Sequence, residues 1–436
     1  MHYRILVALL SLVLTSSLFP WSNHGLGTWI SFSQVPEIFK ADKIVVESLE
    51  SFLEKEKSSI EGLLADNELV YEREMAEIYP PLPNELRFRS DSKDLVQDFL
   101  KAVRLNPKAR LGYYLQDIPG VPLRLPIYPT SLVTTYSDYS FLEDSVFKKI
   151  QLGSKVAPIQ VLSTAIDEPD YGMDVGLFED NDTEVGMIYG FGMQPFGNPK
   201  YVYSAQAPFH MGFYHEGRLI YSLASFLGRT YPELRIHQYF SLSKLAFEKG
   251  HPYWGFRFAG WGMHYIQDLT QPYHARVLPQ YSSLRMIGIN FLSIIGMESS
   301  KMNAVERVSD RHHYIESYQY ALLKEKMLSG KAYSEDPLMR SFLSDPRDGS
   351  FTGDFFKYAR NVVSKESSDR ADLLDQRIEG WSDIKKVESR SVKLSELENT
   401  KERASLDDLL NEFGKNFGYH SRTSLNWVLP PLYRKK

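Results

Sequence analysis

One stretch constrains the fold of this chain more than any other: Gly260-Trp261-Gly262-Met263-His264-Tyr265-Ile266-Gln267-Asp268-Leu269-Thr270-Gln271-Pro272-Tyr273-His274. It spaces two histidines around one aspartate as His-x3-Asp-x5-His. The apolar periodicity from Tyr253 to Asp268 predicts a helix. On that helix His264 and Asp268 lie at i and i+4 and leave the same face one turn apart. Pro272 lacks an N–H and restricts the residue before it, so the helix ends short of it and His274 can turn toward the same point. A second pair at the same spacing, His312 and Glu316, follows. The chain has eleven His, so chance supplies roughly one His-x3-acid pair, and either pair alone carries nothing. The nested third residue cuts the chance expectation to about a few per cent.

The 436 residues suffice for a large core, and 43% hydrophobic with 24% charged residues is the composition of a folded protein. Net charge is −5, so no global field recruits nucleic acid, and no stable nucleic-acid complex is expected. Arg4 followed by the apolar run Ile5 to Leu14 reads as a secretory leader, and Thr15-Ser16-Ser17 supplies small residues for cleavage. The expected location is therefore exported: periplasmic, outer-surface or secreted. Cysteine is absent, so rigidity outside the cell must come from elsewhere, and bound metal is one source.

Helical periodicity recurs along the chain, at Ala41–Asp66, Asp91–Val103, His215–Gly228, Tyr231–Lys249, Arg311–Leu328 and in shorter amphipathic stretches beyond residue 330. Residues 105–160, rich in Pro and Tyr, read as an ordered excursion over the surface. The Asp- and Gly-rich residues 167–209 read as long loops feeding a site. The expected organisation is a leader at 1–20, a catalytic helical domain at 21–330, and a helical C-terminal extension at 331–436 packed on it. Leu284–Met297 stands apart. It carries one charge and is too short to span a bilayer. It is either a core helix or an apolar lid for peripheral membrane contact.

The His264–His274 array resembles the zinc-dependent phospholipase C and single-strand nuclease superfamily, whose central motif runs small-x-His-[Tyr/Phe]-x-Gly-Asp-x-x-x-Pro-x-His. Tyr265 and the run Pro272-Tyr273-His274-Ala275 look more like its bacterial phospholipase C branch. Gln267 stands where the family usually has Gly. The resemblance extends to His312 and Glu316, with His313 as an adjacent rival. It also covers Asp170 in Pro169-Asp170-Tyr171, with Asp167 and Asp174 as alternatives, and His210 in preference to His215. Trp21-Ser22-Asn23-His24 matches the family's mature start.

This resemblance implies an all-α, multi-helix bundle with long loops and insertions, holding two or three Zn²⁺ ions. Asp170, His210, His264 and Asp268 would hold one zinc, and His274, His312 and Glu316 a second. Trp21, His24 and again Asp268 would hold a third, with Asp268 bridging. Asp170 and Asp268 would be the catalytic carboxylates. The third site needs Trp21 at the mature N-terminus, whereas Ser16 or Ser17 is the favoured cleavage point. Later trimming, a differently built site or its absence all remain open. Three carboxylates against three divalent ions leave about three positive charges, a surplus that fits a phosphodiester. The implied activity is hydrolysis of a phospholipid by a zinc-activated water. Tyr171 would contact a head group or a base. The alternatives are a single-strand nuclease and a non-catalytic, zinc-stabilised envelope protein. No Glu-x2-His pair suits a di-iron bundle, and there is no His-Glu-x2-His, Gly-x-Ser-x-Gly or P-loop.

Overall fold

The computed structural model describes residues 24–195, 205–297, 299–379 and 401–433. The fold is all-α. Among the described residues strand is confined to two short antiparallel pairs. In chain order the helices that matter here are α1 (His24–Phe32), α2 (Leu49–Glu74), α3 (Leu95–Ala102), α4 (Pro158–Ala165), α5 (Ala207–His210), α6 (Arg218–Leu223) and α7 (Pro232–Glu248). They continue as α8 (Pro252–Asp268), α9 (Pro272–Ala275), α10 (Ser283–Ile294), α11 (Ser299–Leu328), α12 (Pro337–Leu343), α13 (Lys365–Glu379) and α14 (Lys401–Val428). The strands are β1 (Ile44–Val45), β2 (Tyr114–Gln116), β3 (Phe147–Lys149) and β4 (Lys155–Val156). β1 pairs with β4 and β2 with β3. The last three give the 105–160 excursion regular backbone, and Tyr114, Val133, Leu142 and Phe147 bury a small apolar cluster beneath it.

α8 is the central element. Every residue from Tyr253 to Asp268 is buried, Arg257, His264, Gln267 and Asp268 included, so the helix is covered on all sides and exposes no polar face. Its start is set by local chemistry: Gly250 takes φ +81° to close α7, and Pro252 occupies the first turn of α8. The resulting hairpin lays α7 along α8, and α4 and α14 cover the remaining sides. Small residues make the approach possible. A Cβ on Gly262 would lie 2.5 Å from the Phe240 ring of α7, and one on Gly260 would lie 2.9 Å from Cβ of Ala165 in α4.

α1 is buried along all nine of its residues and packs on α4, α12 and α14. The main core runs from Leu26 to Leu429, so the elements beyond residue 330 share it with α8. No helix of the described residues is long and apolar enough to cross a membrane.

The close α7–α8 contact makes Gly262→Val an overpacking change. It is expected to cost about 1–3 kcal/mol, measured as a lowered melting temperature. Gly288→Val on α10 has open space around its Cβ position and serves as the control with little change.

Candidate metal centre

Four acids in the short segment from Asp167 to Asp174 meet three different fates. Asp167 accepts the Gly25 N–H at 2.9 Å. Glu168 is held by Arg257, through Nε at 3.0 Å and Nη2 at 2.8 Å, and by Trp261 Nε1 at 2.6 Å. Asp174 accepts from Arg235 Nε at 3.0 Å and Nη2 at 2.6 Å, and from the Tyr265 hydroxyl at 2.5 Å. These anchors from α7 and α8 fix the segment on both sides of Asp170. Asp170 itself meets no arginine. Its Oδ1 faces His264 Nε2 at 3.6 Å and His210 Nδ1 at 3.7 Å.

Around Asp170 the fold gathers side chains from five helices: His24 of α1, His210 of α5, His264 and Asp268 of α8, His274 of α9, and His312 with Glu316 of α11. They form three groups, His24–His264–Asp268, Asp170–His210–His264 and His274–His312–Glu316. Within each group the ligand atoms all lie within 4.8 Å of one another. Asp268 faces two ways. Its Oδ2 lies 2.8 Å from His210 Nδ1 and 3.3 Å from His264 Nε2, while Oδ1 lies 3.5 Å from His24 Nε2 and 3.4 Å from His274 Nδ1.

Two observations show that these groups could hold cations. First, the cluster is rich in buried polar atoms without a hydrogen-bond partner: His24 Nε2, Asp170 Oδ1, His210 Nε2, Asp268 Oδ1, His274 Nε2 and Glu316 Oε2. Such atoms are rare in folded proteins and call for an explanation. Second, most of the buried acids elsewhere have arginine partners, and Asp167 has the Gly25 N–H. Glu168 has Arg257, Asp174 has Arg235, Glu233 has Arg360 and Asp375 has Arg311. The ion-pair partners of Asp170, Asp268 and Glu316 are all imidazoles. A buried carboxylate without a cation is costly, and a bound divalent ion removes that cost.

Three of the histidines, His264, His274 and His312, are presented in the neutral form a metal requires. Burial drives His264 and His312 down to about 3, so both are neutral at physiological pH. The Nδ1–H of His264 donates to the Ile166 carbonyl at 2.7 Å, and that of His274 donates to the His210 carbonyl at 3.1 Å, leaving both Nε2 atoms turned inward. Burial pushes the Asp170 carboxyl well above the usual range, reinforced by Asp268, Asp167, Glu316 and Asp174. Burial also raises Glu316. Burial opposes the charge of Asp268 as well, but the imidazoles of His264, His210 and His274 outweigh it and hold that carboxyl well below its ordinary value.

Of the residues singled out from sequence, the structure assembles His24, Asp170, His210, His264, Asp268, His274, His312 and Glu316. Trp21 lies outside the described residues, as does the leader. His215 is elsewhere, bonded to the Arg360 carbonyl at 3.0 Å. Tyr171 is a correction. It is buried, its ring meets Phe147 edge-on and its hydroxyl donates to Gln116 at 2.7 Å, so it offers no surface to a head group or base. Sequence reasoning also passed over Gln267, which is buried with its amide oxygen 2.9 Å from His24 Nδ1. The Tyr273 hydroxyl, bonded to Asp375 at 2.9 Å, ties the His274 turn to α13. No family model, curated protein or solved structure matches the chain.

Asp268 lies within 3.5 Å of four of the five imidazoles. Asp268→Asn is therefore expected to lose more bound metal than His24→Ala, by elemental analysis of protein purified without chelator. His215→Ala is expected to retain the full complement. Chelation of the native protein is expected to lower its melting temperature, by roughly 3 kcal/mol of stability if free metal stood at a hundredfold excess over Kd.

Proposed function

We propose that this chain is a zinc-dependent phosphodiester hydrolase, and that its substrate is a phospholipid cleaved as a phospholipase C would cleave it. The reading is carried by three buried carboxylates that face five imidazoles and no arginine. Oxygen and imidazole donors without thiolate suit Zn²⁺ in a catalytic arrangement. Asp170, His210, His264 and Asp268 would hold one ion, and His274, His312 and Glu316 a second. His24 and Asp268 would serve a third, together with Trp21. Bound there, zinc supplies a water whose pKa falls from about 15.7 toward about 7 and positive charge for the phosphate oxygens.

The chain's own groups do the positioning. Asp268, whose Oδ2 faces His210 and His264 and whose Oδ1 faces His24 and His274, would serve more than one of the sites. Asp170 is the most open of the set, its side chain 11% exposed against 0–3% for the others, so the phosphodiester enters on its side. There the Asp170 carboxylate, besides holding an ion, would orient the attacking water. Attack breaks the phosphorus–oxygen bond to glycerol, and the leaving oxygen takes a proton from solvent.

α10 supports lipid over nucleic acid. Met286 and Ser293 are buried on one face, against a cluster that includes Met211 beside the ligand His210. On the opposite face, at i, i+7 and i+11, stand Leu284, 78% exposed, Phe291, 60%, and Ile295, 56%. A core helix would bury both faces. Leu292 is half-buried and lies outside this exposed stripe. The run from Ser282 to Met297 has no acidic residue. Arg285 and the neighbouring Arg218 are exposed, a charge pattern that suits an anionic bilayer surface on a chain of net charge −5. Base-stacking platforms, which a nuclease needs, are not offered by Tyr171 or Tyr265, both buried.

Purified protein should release phosphocholine from phosphatidylcholine vesicles, lose that activity to a chelator and regain it with zinc. Chelator-sensitive cleavage of single-stranded DNA instead would establish the nuclease. Metal-loaded protein inert on both substrates would leave a structural zinc protein. Replacing Phe291 and Ile295 by Ser removes roughly 2–4 kcal/mol of apolar burial in the bilayer. Vesicle binding should weaken at least about tenfold, with the melting temperature and hydrolysis of a short monomeric phosphodiester little changed. A lowered melting temperature with all activities falling together would retire the lipid-facing role.

A further inference from the structure

We infer that Gln267 is a positioning residue for the metal at His24, and that it carries the C-terminal helix α14 into the metal centre. The inference rests on the metal reading of the cluster. Gln267 follows His264 by three residues on α8 and precedes the bridging Asp268 by one. Its side chain is fully buried and every polar atom of it is used. Oε1 meets His24 Nδ1 at 2.9 Å, and Nε2 donates to Thr28 Oγ1 and to Ser421 Oγ, each at 2.9 Å. His24, Thr28 and Ser421 are themselves fully buried, so no water competes for these positions.

The arrangement has one chemical consequence for His24. With both amide N–H groups committed to Thr28 and Ser421, Gln267 turns its oxygen to His24, which must then donate from Nδ1. That leaves the Nε2 lone pair free, and Nε2 has no hydrogen-bond partner and sits 3.5 Å from Asp268 Oδ1. A hydrogen-bonded partner behind a histidine sets both its tautomer and its ring orientation. His264 and His274 use backbone carbonyls for this. His24 alone of the three uses a side chain. The two hydroxyls that fix that side chain come from opposite ends of the chain, Thr28 on α1 and Ser421 on α14. A segment that supplies no ligand thereby decides how one ligand is presented.

The experiment is zinc titration of the full-length protein at buffered free metal, paired with ¹¹³Cd NMR of the cadmium-substituted protein, which gives one signal per occupied site. Gln267→Met, similar in length but without an acceptor, should weaken the His24 site by about 10–100-fold and move or remove one cadmium signal, leaving the others in place. Gln267→Glu should restore the site, because its carboxylate accepts from His24 and both hydroxyls can turn to donate to it. Ser421→Ala should weaken the same site, less than Gln267→Met does. Wild-type affinity at every site in Gln267→Met overturns the inference. So does a uniform loss across all sites with a lowered melting temperature, or a failure of Gln267→Glu to restore. Native protein that takes up no zinc overturns the metal reading itself and this inference with it. Native protein that binds zinc while Gln267→Met is unaffected overturns only the role of Gln267.

Discussion

Much of this structure depends on placing three carboxylates, Asp170, Asp268 and Glu316, among five imidazoles in a region with no arginine or lysine partner for them. Left alone, such charges are expelled from a protein interior or lose their ionisation. Keeping them inside requires rigid surroundings, and the fold supplies these on every side. α8 is buried along its length, and α7, α4 and α14 close on it. Arg235 and Arg257 pin the segment that carries Asp170. The His210 and His274 segments hold each other, since the Gly212 N–H donates to the His274 carbonyl at 2.8 Å while His274 Nδ1 donates to the His210 carbonyl.

The contrast between neighbouring acids shows how residues of one type are assigned different work. Glu168 and Asp174 each take an arginine, so their burial is compensated within the protein and their role is to anchor backbone. Asp170 lies between them in sequence and takes none. Residues beyond 330 contribute in the same indirect way. Asp375 of α13 receives the Tyr273 hydroxyl, Arg311 and the Gln280 amide, and so steadies the turn bearing His274 and the helix bearing His312. Ser421 of α14 reaches Gln267. The C-terminal elements therefore work as outer supports of the cluster while presenting no ligand to it.

The sequence by itself determined the helical class and the local geometry of the cluster. The i, i+4 spacing of His264 and Asp268, and of His312 and Glu316, is a property of any helix. The break before Pro272 follows from proline's missing N–H. Periodicity placed α7 and α8 to within a residue or two, because their ends carry strong signals in Gly250 and Pro252. It placed α2 less well, since Leu49–Glu74 extends well past the predicted end at Asp66 across a run of mixed polarity.

Tertiary structure alone decided the rest. Choosing Asp170 over Asp174 depended on where Arg235 of α7 falls, and over Asp167 on the Gly25 N–H of α1, and no local pattern encodes either. Tyr171 reads as a recognition residue in its Pro-Asp-Tyr setting, yet packing against Phe147 and Gln116 buries it. The stripe of Leu284, Phe291 and Ile295 cannot be told from a core face by composition, because exposure depends on which neighbours cover the helix. Gln267 looked incidental beside two ligands; its place became visible only when residues 24, 28 and 421 met around it. Hydrogen bonds between side chains hundreds of positions apart leave no trace in periodicity or spacing, and that is where this centre is held together.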